Sequence, residues 1–257
     1  MAEITIVGSS SGDPSPDRAN ASIILDAGNQ LYQFDAGEGF SSSILRLNID
    51  HSNIGTIFLT HSHADHFAGF FLEIQMMHLA RRTRRLSIYM PEELIEPVKN
   101  MLLAAYMFPE RLGFEIMFNP VKPDPVFRDD NIAVYARANS HLKQYEQEIK
   151  ENKYDNKMQS YSYVIKTDGC KIIYSGDIGS LSDYADLLGD CDLLITEGLH
   201  LDLEELFELS AQTGLKKLVL THLSWEIYAD PAPIKTSAAK HGLTGLIIAR
   251  DGFKLSI

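Results

Sequence analysis

The chemistry this sequence can do is concentrated first in Thr60-His61-Ser62-His63-Ala64-Asp65-His66. The segment follows a β-branched run, Thr56–Leu59, that reads as a strand. In an extended chain His61 and His63 project to the same side, so two imidazoles can grip one cation. Asp65 and His66 fall where the chain turns into a helical pattern and point to a second position. Three imidazoles and a carboxylate at a strand end suit Zn2+ or a similar divalent ion. The competing reading is a polar loop whose histidines cap or hydrogen-bond, and the convergence of four ligand-type side chains outweighs it.

Further candidates sit at the ends of other strand-like runs. His141 follows Ile132–Ala136, Asp177 follows Lys171–Tyr174 and His222 follows Lys217–Leu220. Taken singly, a loop histidine or a Gly-Asp turn is usually structural. Together they complete two sites: His61, His63 and His141 on one ion, Asp65, His66 and His222 on the other, with Asp177 bridging. The expected cofactor is a pair of divalent ions, zinc first, with Mn2+ or Fe2+ as alternatives.

The elements that must position these residues read as a layered α/β domain. Strand runs are Glu3–Val7, Ser22–Leu25, Leu31–Phe34, Thr56–Leu59, Leu86–Met90, Ile132–Ala136, Tyr161–Lys166, Lys171–Tyr174, Asp192–Ile195, Lys217–Leu220 and Leu246–Ala249. Helical periodicity covers Phe40–Leu47, Ala68–Ala80, Glu92–Phe108, Leu201–Thr213 and Pro231–His241. We find no short repeat and no low-complexity linker, so residues 1–257 are expected to form a single domain. One stretch departs in composition: Lys143–Lys157 holds four Lys and four Asp/Glu and reads as a charged insertion, a solvated loop or short exposed helix. Placed directly after His141, it is expected to hang over the metal edge as a mobile cover.

Composition narrows the partners. At 45% hydrophobic and 23% charged residues the chain is a cored, soluble protein. A net charge of −12 repels phosphate and disfavours non-specific binding to nucleic acid or anionic membrane. Two cysteines, Cys170 and Cys191, make no disulfide framework. With no signal-peptide pattern and no apolar run long enough to span a bilayer, the expectation is a cytoplasmic protein without membrane partners. The run Arg81, Arg82, Arg84 and Arg85 reads as a solvated helix terminus rather than a substrate-steering patch. His51, His78 and His241 read as ordinary histidines.

The order of motifs resembles the metallo-β-lactamase superfamily, and within it the ribonuclease Z branch of tRNA 3′-processing endonucleases. The resemblance spans nearly the whole chain. It runs from the Gly/Ser-rich turn at Gly8 and Arg18 through Phe34-Asp35-Ala36-Gly37-Glu38-Gly39 and the His61–His66 motif to Asp177, His222-Leu223-Ser224 and Asp251-Gly252. It implies a four-layer αβ/βα sandwich, metals at one edge of two facing sheets, and a homodimer. It also implies a Glu–His pair beside the metals. Here Glu197 follows Asp192–Ile195, and His200 precedes His222 by 222 − 200 = 22 positions.

On this reading Asp65, Glu197 and His200 take part in the reaction, His200 protonating the leaving oxygen while Glu197 orients its ring. Asp35 is expected to accept a hydrogen bond from a ligand imidazole and so fix its tautomer. The bland alternatives are a helix N-terminal pair for Glu197 and His200 and a turn cap for Asp35.

Three departures from the branch bear on substrate. His141 and Asp177 are 177 − 141 = 36 positions apart, which leaves no room for the arm that grips tRNA. The loop between Glu197 and His200 is cut to Gly198-Leu199. A Ser-x-Arg-Tyr element reads Ser224-Trp225-Glu226-Ile227, so an anion-binding Arg has become Glu. The expected function is a dinuclear metal-dependent phosphodiesterase. It would act through a metal-bridging hydroxide on an RNA end or a small cyclic or linear phosphodiester. The alternative is an ester, thioester or lactone hydrolase on the same scaffold, which loss of that Arg favours. A non-enzymatic binding scaffold ranks last, because all seven ligand-type residues are present.

Overall fold

The computed structural model describes residues 2–122 and 124–257, which divide into two compact units. The first comprises the chain up to residue 122 together with residues 250–257, and the second runs from 124 to 249.

The first unit is built on a seven-stranded mixed sheet. In chain order its strands are β1 (Glu3–Gly8), β2 (Ser22–Ala27), β3 (Gln30–Phe34), β4 (Ile54–Phe58), β5 (Leu86–Met90) and β6 (Ile116–Pro120). The strand Lys254–Ser256, β14, joins from the far end of the chain and pairs with β1. The spatial order is β14-β1-β2-β3-β4-β5-β6. Pairing is antiparallel from β14 to β3 and parallel from β3 to β6. Helices α1 (Phe40–Arg46), α2 (Ala64–Phe67), α3 (Phe70–Leu79), α4 (Glu92–Ala104) and α5 (Pro109–Leu112) supply the crossovers. Phe40, Ile44, Phe70, Ile74, Met77, Leu94 and Val98 from the helices pack with Ile57, Leu59, Ile88 and Met90 in one apolar cluster. Strands buried this fully lack a strict period-two pattern, as parallel strands covered on both faces do.

The second unit repeats the plan. Its strands are β7 (Asp124–Arg128), β8 (Ala133–Ala138), β9 (Tyr161–Thr167), β10 (Cys170–Tyr174), β11 (Leu193–Glu197), β12 (Lys217–Thr221) and β13 (Leu246–Ile248). The order is β13-β12-β11-β10-β9-β8-β7. Pairing is antiparallel from β7 to β10 and parallel from β10 to β13. Helices α6 (Glu146–Asn152), α7 (Leu203–Gln212), α8 (Trp225–Ala229) and α9 (Ala232–Lys240) complete it. Leu206, Phe207, Tyr184, Leu188 and Tyr228 pack on Ile173, Leu194, Leu218 and Leu220. Each sheet therefore switches from antiparallel to parallel at one strand pair: β3/β4 in the first unit and β10/β11 in the second.

Two helices differ from the sequence expectation. The pattern Ala68–Ala80 is met by α3 (Phe70–Leu79), and a separate single turn not read from the sequence, α2 (Ala64–Phe67), precedes it across Ala68 and Gly69. A Cβ on Gly69 would stand 2.1 Å from the Gly37 carbonyl oxygen, so the chain must pass there without a side chain. The pattern Glu92–Phe108 stops at Ala104, because Tyr106 takes a left-handed conformation, φ 60°. The charged stretch Lys143–Lys157 is exposed apart from Ile149 and contains α6, the short exposed helix the composition allowed. No helix among the described residues is long and apolar enough to cross a membrane.

Candidate metal centre

In the first unit the ligand-type residues gather at the β3/β4 switch. Beyond β4 the chain leaves the sheet, bends at Ser62 and returns to an extended backbone at His63 (φ −65°, ψ 144°), the residue that precedes α2. The His61 ring lies 4.7 Å from that of His63 and 4.2 Å from that of His66, centroid to centroid. The one-turn helix α2 brings Asp65 Oδ2 to 3.6 Å from His66 Nε2. That separation is too long for a hydrogen bond and suits two donors facing one cation.

Asp35, at the end of β3, organises this cluster. It is buried and held at φ 58°, a left-handed conformation uncommon outside glycine. Its Oδ1 accepts the Thr60 N–H at 2.8 Å. The Thr60 hydroxyl lies 2.9 Å from Asp35 Oδ2 and 3.0 Å from His61 Nδ1. His66 Nδ1 donates to Asp35 Oδ2 at 2.8 Å, because a carboxylate can only accept. The His66 proton therefore sits on Nδ1, which leaves the Nε2 lone pair toward Asp65.

The glycines of the Asp35–Gly39 element serve this packing. A Cβ on Gly37 would stand 2.3 Å from the Asp65 carbonyl oxygen. Glu38 between them is exposed.

In the second unit the candidates sit at the ends of β8, β10, β11 and β12. His141 opens a 3-10 turn, Asp177 follows β10, and His222 follows β12 at φ 53°. Asp177 Oδ2 lies 3.4 Å from His222 Nε2 and 3.7 Å from His141 Nε2. These distances match the edge of a tetrahedron whose metal–ligand bonds are about 2.1 Å, roughly 3.4 Å. All three side chains are buried.

Glu197 and His200 adjoin this set. Glu197 Oε2 accepts the backbone N–H groups of Leu199 (2.9 Å) and His200 (2.8 Å). Its Oε1 accepts Ile178 N–H at 3.3 Å and lies 3.1 Å from His200 Nδ1. His200 Nδ1 is also 3.8 Å from Asp177 Oδ2. His200 is 38% exposed, whereas Asp177 and Glu197 are at 2% and 1%. The pair is thus a fixed carboxylate aiming a solvent-reaching imidazole.

Each predicted site residue therefore stands within one of two clusters, four in the first unit and five in the second. Thr60 and Asn139 escaped the sequence reading. Asn139 donates to the Asp177 carbonyl (3.0 Å), and its Oδ1 accepts the His141 N–H (3.2 Å). Neither residue type carries a signal of its own.

The basic run also needs correction at one position. Arg82 is buried, not solvated. Its guanidinium donates to the carbonyls of Arg84, Arg85 and Ser52 and stands 5.6 Å over the Phe114 ring. Burial pushes its pKa down to about 10. Both cysteines are free thiols, and burial pushes Cys191 up to about 11.

Comparison with known proteins bears on the family and the fold. The sequence model of the family described as Anti-Pycsar protein Apyc1 matches residues 2–244. Ribonuclease Z of Archaeoglobus fulgidus is 26% identical, over 99% of this chain and 97% of its own length. Human tRNase Z, short form, superposes with a TM-score of 0.77 at 20% identity, covering 99% of both chains. The metallo-β-lactamase fold protein YhfI of Bacillus subtilis superposes at 0.76 with 18% identity, covering 99% of this chain and 98% of its own. The fold is that of the metallo-β-lactamases, as the motif order implied.

Proposed function

Because the chain belongs to the Anti-Pycsar protein Apyc1 family, we propose that it is a metal-dependent phosphodiesterase whose two ligand sets share a pair of divalent ions. His61, His63 and His141 would hold one ion, Asp65, His66 and His222 the other, and Asp177 would bridge them. Zinc suits so imidazole-rich a set, and Mn2+ or Fe2+ can use the same donors. When bound, the pair supplies an activated water and a Lewis-acid contact for a phosphoryl oxygen.

The protein's own residues do the rest. Asp35 keeps the His66 proton on Nδ1, so that Nε2 is the coordinating atom. Glu197 engages His200 Nδ1 and leaves Nε2 to hand a proton to the leaving oxygen. The observation that carries this reading is the Asp177–His200–Glu197 arrangement: an exposed, carboxylate-aimed imidazole next to a carboxylate that faces two further imidazoles.

For substrate we favour a small phosphodiester, cyclic or linear, over tRNA. The 36 positions between His141 and Asp177 are taken up by a 3-10 turn, α6, β9 and β10, with no projecting arm. A net charge of −12 adds repulsion against a long polyanion. The test is turnover of a bis-aryl phosphodiester, cyclic and linear dinucleotides and a 3′-extended tRNA, with and without Zn2+ or Mn2+. No phosphodiester turnover under any metal overturns the proposal, and preference for the tRNA overturns the substrate class. A second reading, an ester, thioester or lactone hydrolase, rests on exposed Glu226 standing where an anion-binding Arg is expected. Faster turnover of an aryl ester or a lactone in the same assay would favour it.

A further inference from the structure

Asp183 lies six positions beyond Asp177, in a 3-10 turn spanning Leu181–Asp183, and it is not among the ligand-type residues of either set. Its Oδ2 accepts hydrogen bonds from two separate loops. From the loop that carries His141 it accepts the Ser140 N–H at 3.1 Å and the Ser140 hydroxyl at 2.9 Å. From the loop that carries Asp177 it accepts Gly179 N–H at 3.0 Å and Ser180 N–H at 3.3 Å.

A local turn explains one of these four bonds. Ser180 and Asp183 form a capping box, which needs the Ser180 N–H. The Gly179 bond and both Ser140 bonds lie outside it. The two loops are also in backbone contact at this point. A Cβ on Gly179 would fall 2.3 Å from Ser140 Oγ and 2.9 Å from the Ser140 carbonyl carbon. Arg137, from the end of β8, donates to the Asp183 carbonyl (3.4 Å) and pairs with Asp186, closing the arrangement from behind. On the other side of the same junction, Asn139 ties the His141 N–H to the Asp177 carbonyl.

We infer that Asp183 is a positioning residue that sets the separation of His141 and Asp177 by clamping their two loops through one carboxylate oxygen. The inference rests on reading those two side chains as metal ligands. A carboxylate suits the task because one of its oxygens can accept several N–H and O–H donors at charge-assisted strength. Four donors that converge on one oxygen transmit its position to both loops. The ligand spacing of 3.7 Å between His141 Nε2 and Asp177 Oδ2 is then fixed by backbone, not by the side chains alone.

The test compares wild type with Asp183→Ala, Asp183→Asn and Ser140→Ala. Zinc affinity is read by competition with a chromophoric chelator, and the visible absorption of the Co2+-substituted protein reports ligand geometry. Melting of the metal-free protein is measured in parallel. Loss of a group that holds a ligand in place lowers metal affinity roughly 10–100-fold. We expect Asp183→Ala to show a fall of that order with altered Co2+ bands. Asp183→Asn, which keeps an acceptor oxygen, should recover part of it, and Ser140→Ala should lose less. If Asp183→Ala does not fold, the order wild type, Ser140→Ala, Asp183→Asn carries the same expectation. Variants that melt lower yet bind zinc with wild-type affinity and unchanged Co2+ bands overturn the inference. A wild type that binds no stoichiometric metal overturns the reading of the metal centre instead.

Discussion

His66 Nδ1 and Asp35 Oδ2 are 2.8 Å apart, and neither side chain touches solvent to any useful degree. The bond spans the β3/β4 switch and fixes which imidazole nitrogen faces Asp65. Asp35→Asn would present an amide that can also donate, and the tautomer would no longer be dictated. Zinc affinity should fall by roughly 10–100-fold. A chelator-competition titration that gives the wild-type value would remove Asp35 from the site.

His200→Ala should act on chemistry and not on metal content. General acid catalysis contributes about 10²–10⁴-fold. We expect a kcat loss of that order for a substrate with an alkoxide leaving group. A nitrophenolate needs no proton to depart, so its turnover should suffer far less. Equal losses on both, with metal still bound, would assign His200 to another task.

Glu73 offers a pH test at a buried group linked through Gln33, whose Nε2 also donates to the Asp35 carbonyl at 3.1 Å. It is buried on α3, and its Oε2 accepts from Gln33 Nε2 at 2.9 Å. Burial pushes its carboxyl from 4.5 up to about 8, against the opposing hydrogen bond from Gln33. The folded state thus keeps a proton that the unfolded chain has lost. The stability this supplies is complete below pH 4.5, declines as pH rises and is gone above about 8. Glu73→Gln, neutral at every pH, should flatten the decline. Urea midpoints measured across that range should diverge with rising pH, and parallel curves would refute the assignment.

Gly37→Ala should damage both fold and site. Its Cβ would press on the Asp65 carbonyl oxygen, which lies 2.3 Å from the required position. Overpacking of this kind costs about 1–3 kcal/mol. Because the displaced backbone is that of Asp65, zinc affinity should fall together with the melting temperature. A lower melt with intact zinc binding would confine the glycine's role to packing.

The strands that the sequence left unread share one property. β6, β7 and β14 are edge strands, while the interior strands were all found. Apart from the partly buried β8, the interior strands are largely buried and rich in Ile, Val, Leu, Phe and Tyr. An edge can end in Pro120, begin with Asp124-Pro125 or consist of Lys-Leu-Ser, and these residues belong to edges because they resist pairing with another chain. β13, the fourth edge, was legible through Leu246-Ile247-Ile248. The ligand-type residues were legible because imidazoles and carboxylates at strand ends are rare. Thr60, Asn139 and Asp183 act through positions that any loop could occupy, and their types announce nothing. The doubled sheet plan also left no mark, since topology repeats here without any repeat of residues.

β14 pairs with β1 in register from Glu3↔Ser256 to Thr5↔Lys254, and Asp251 beside it accepts from the Ser9 and Ala19 backbone N–H groups. A ribosome delivers these partners some 240 residues after the segments they complete. Without residues 250–257 the first unit has one sheet edge open and the Ser9–Asn20 turn untied, whereas every strand of the second unit lies before residue 250. A released chain truncated after Ala249 should therefore expose the first unit, and not the second, to proteases and to chaperones that bind unpaired strands.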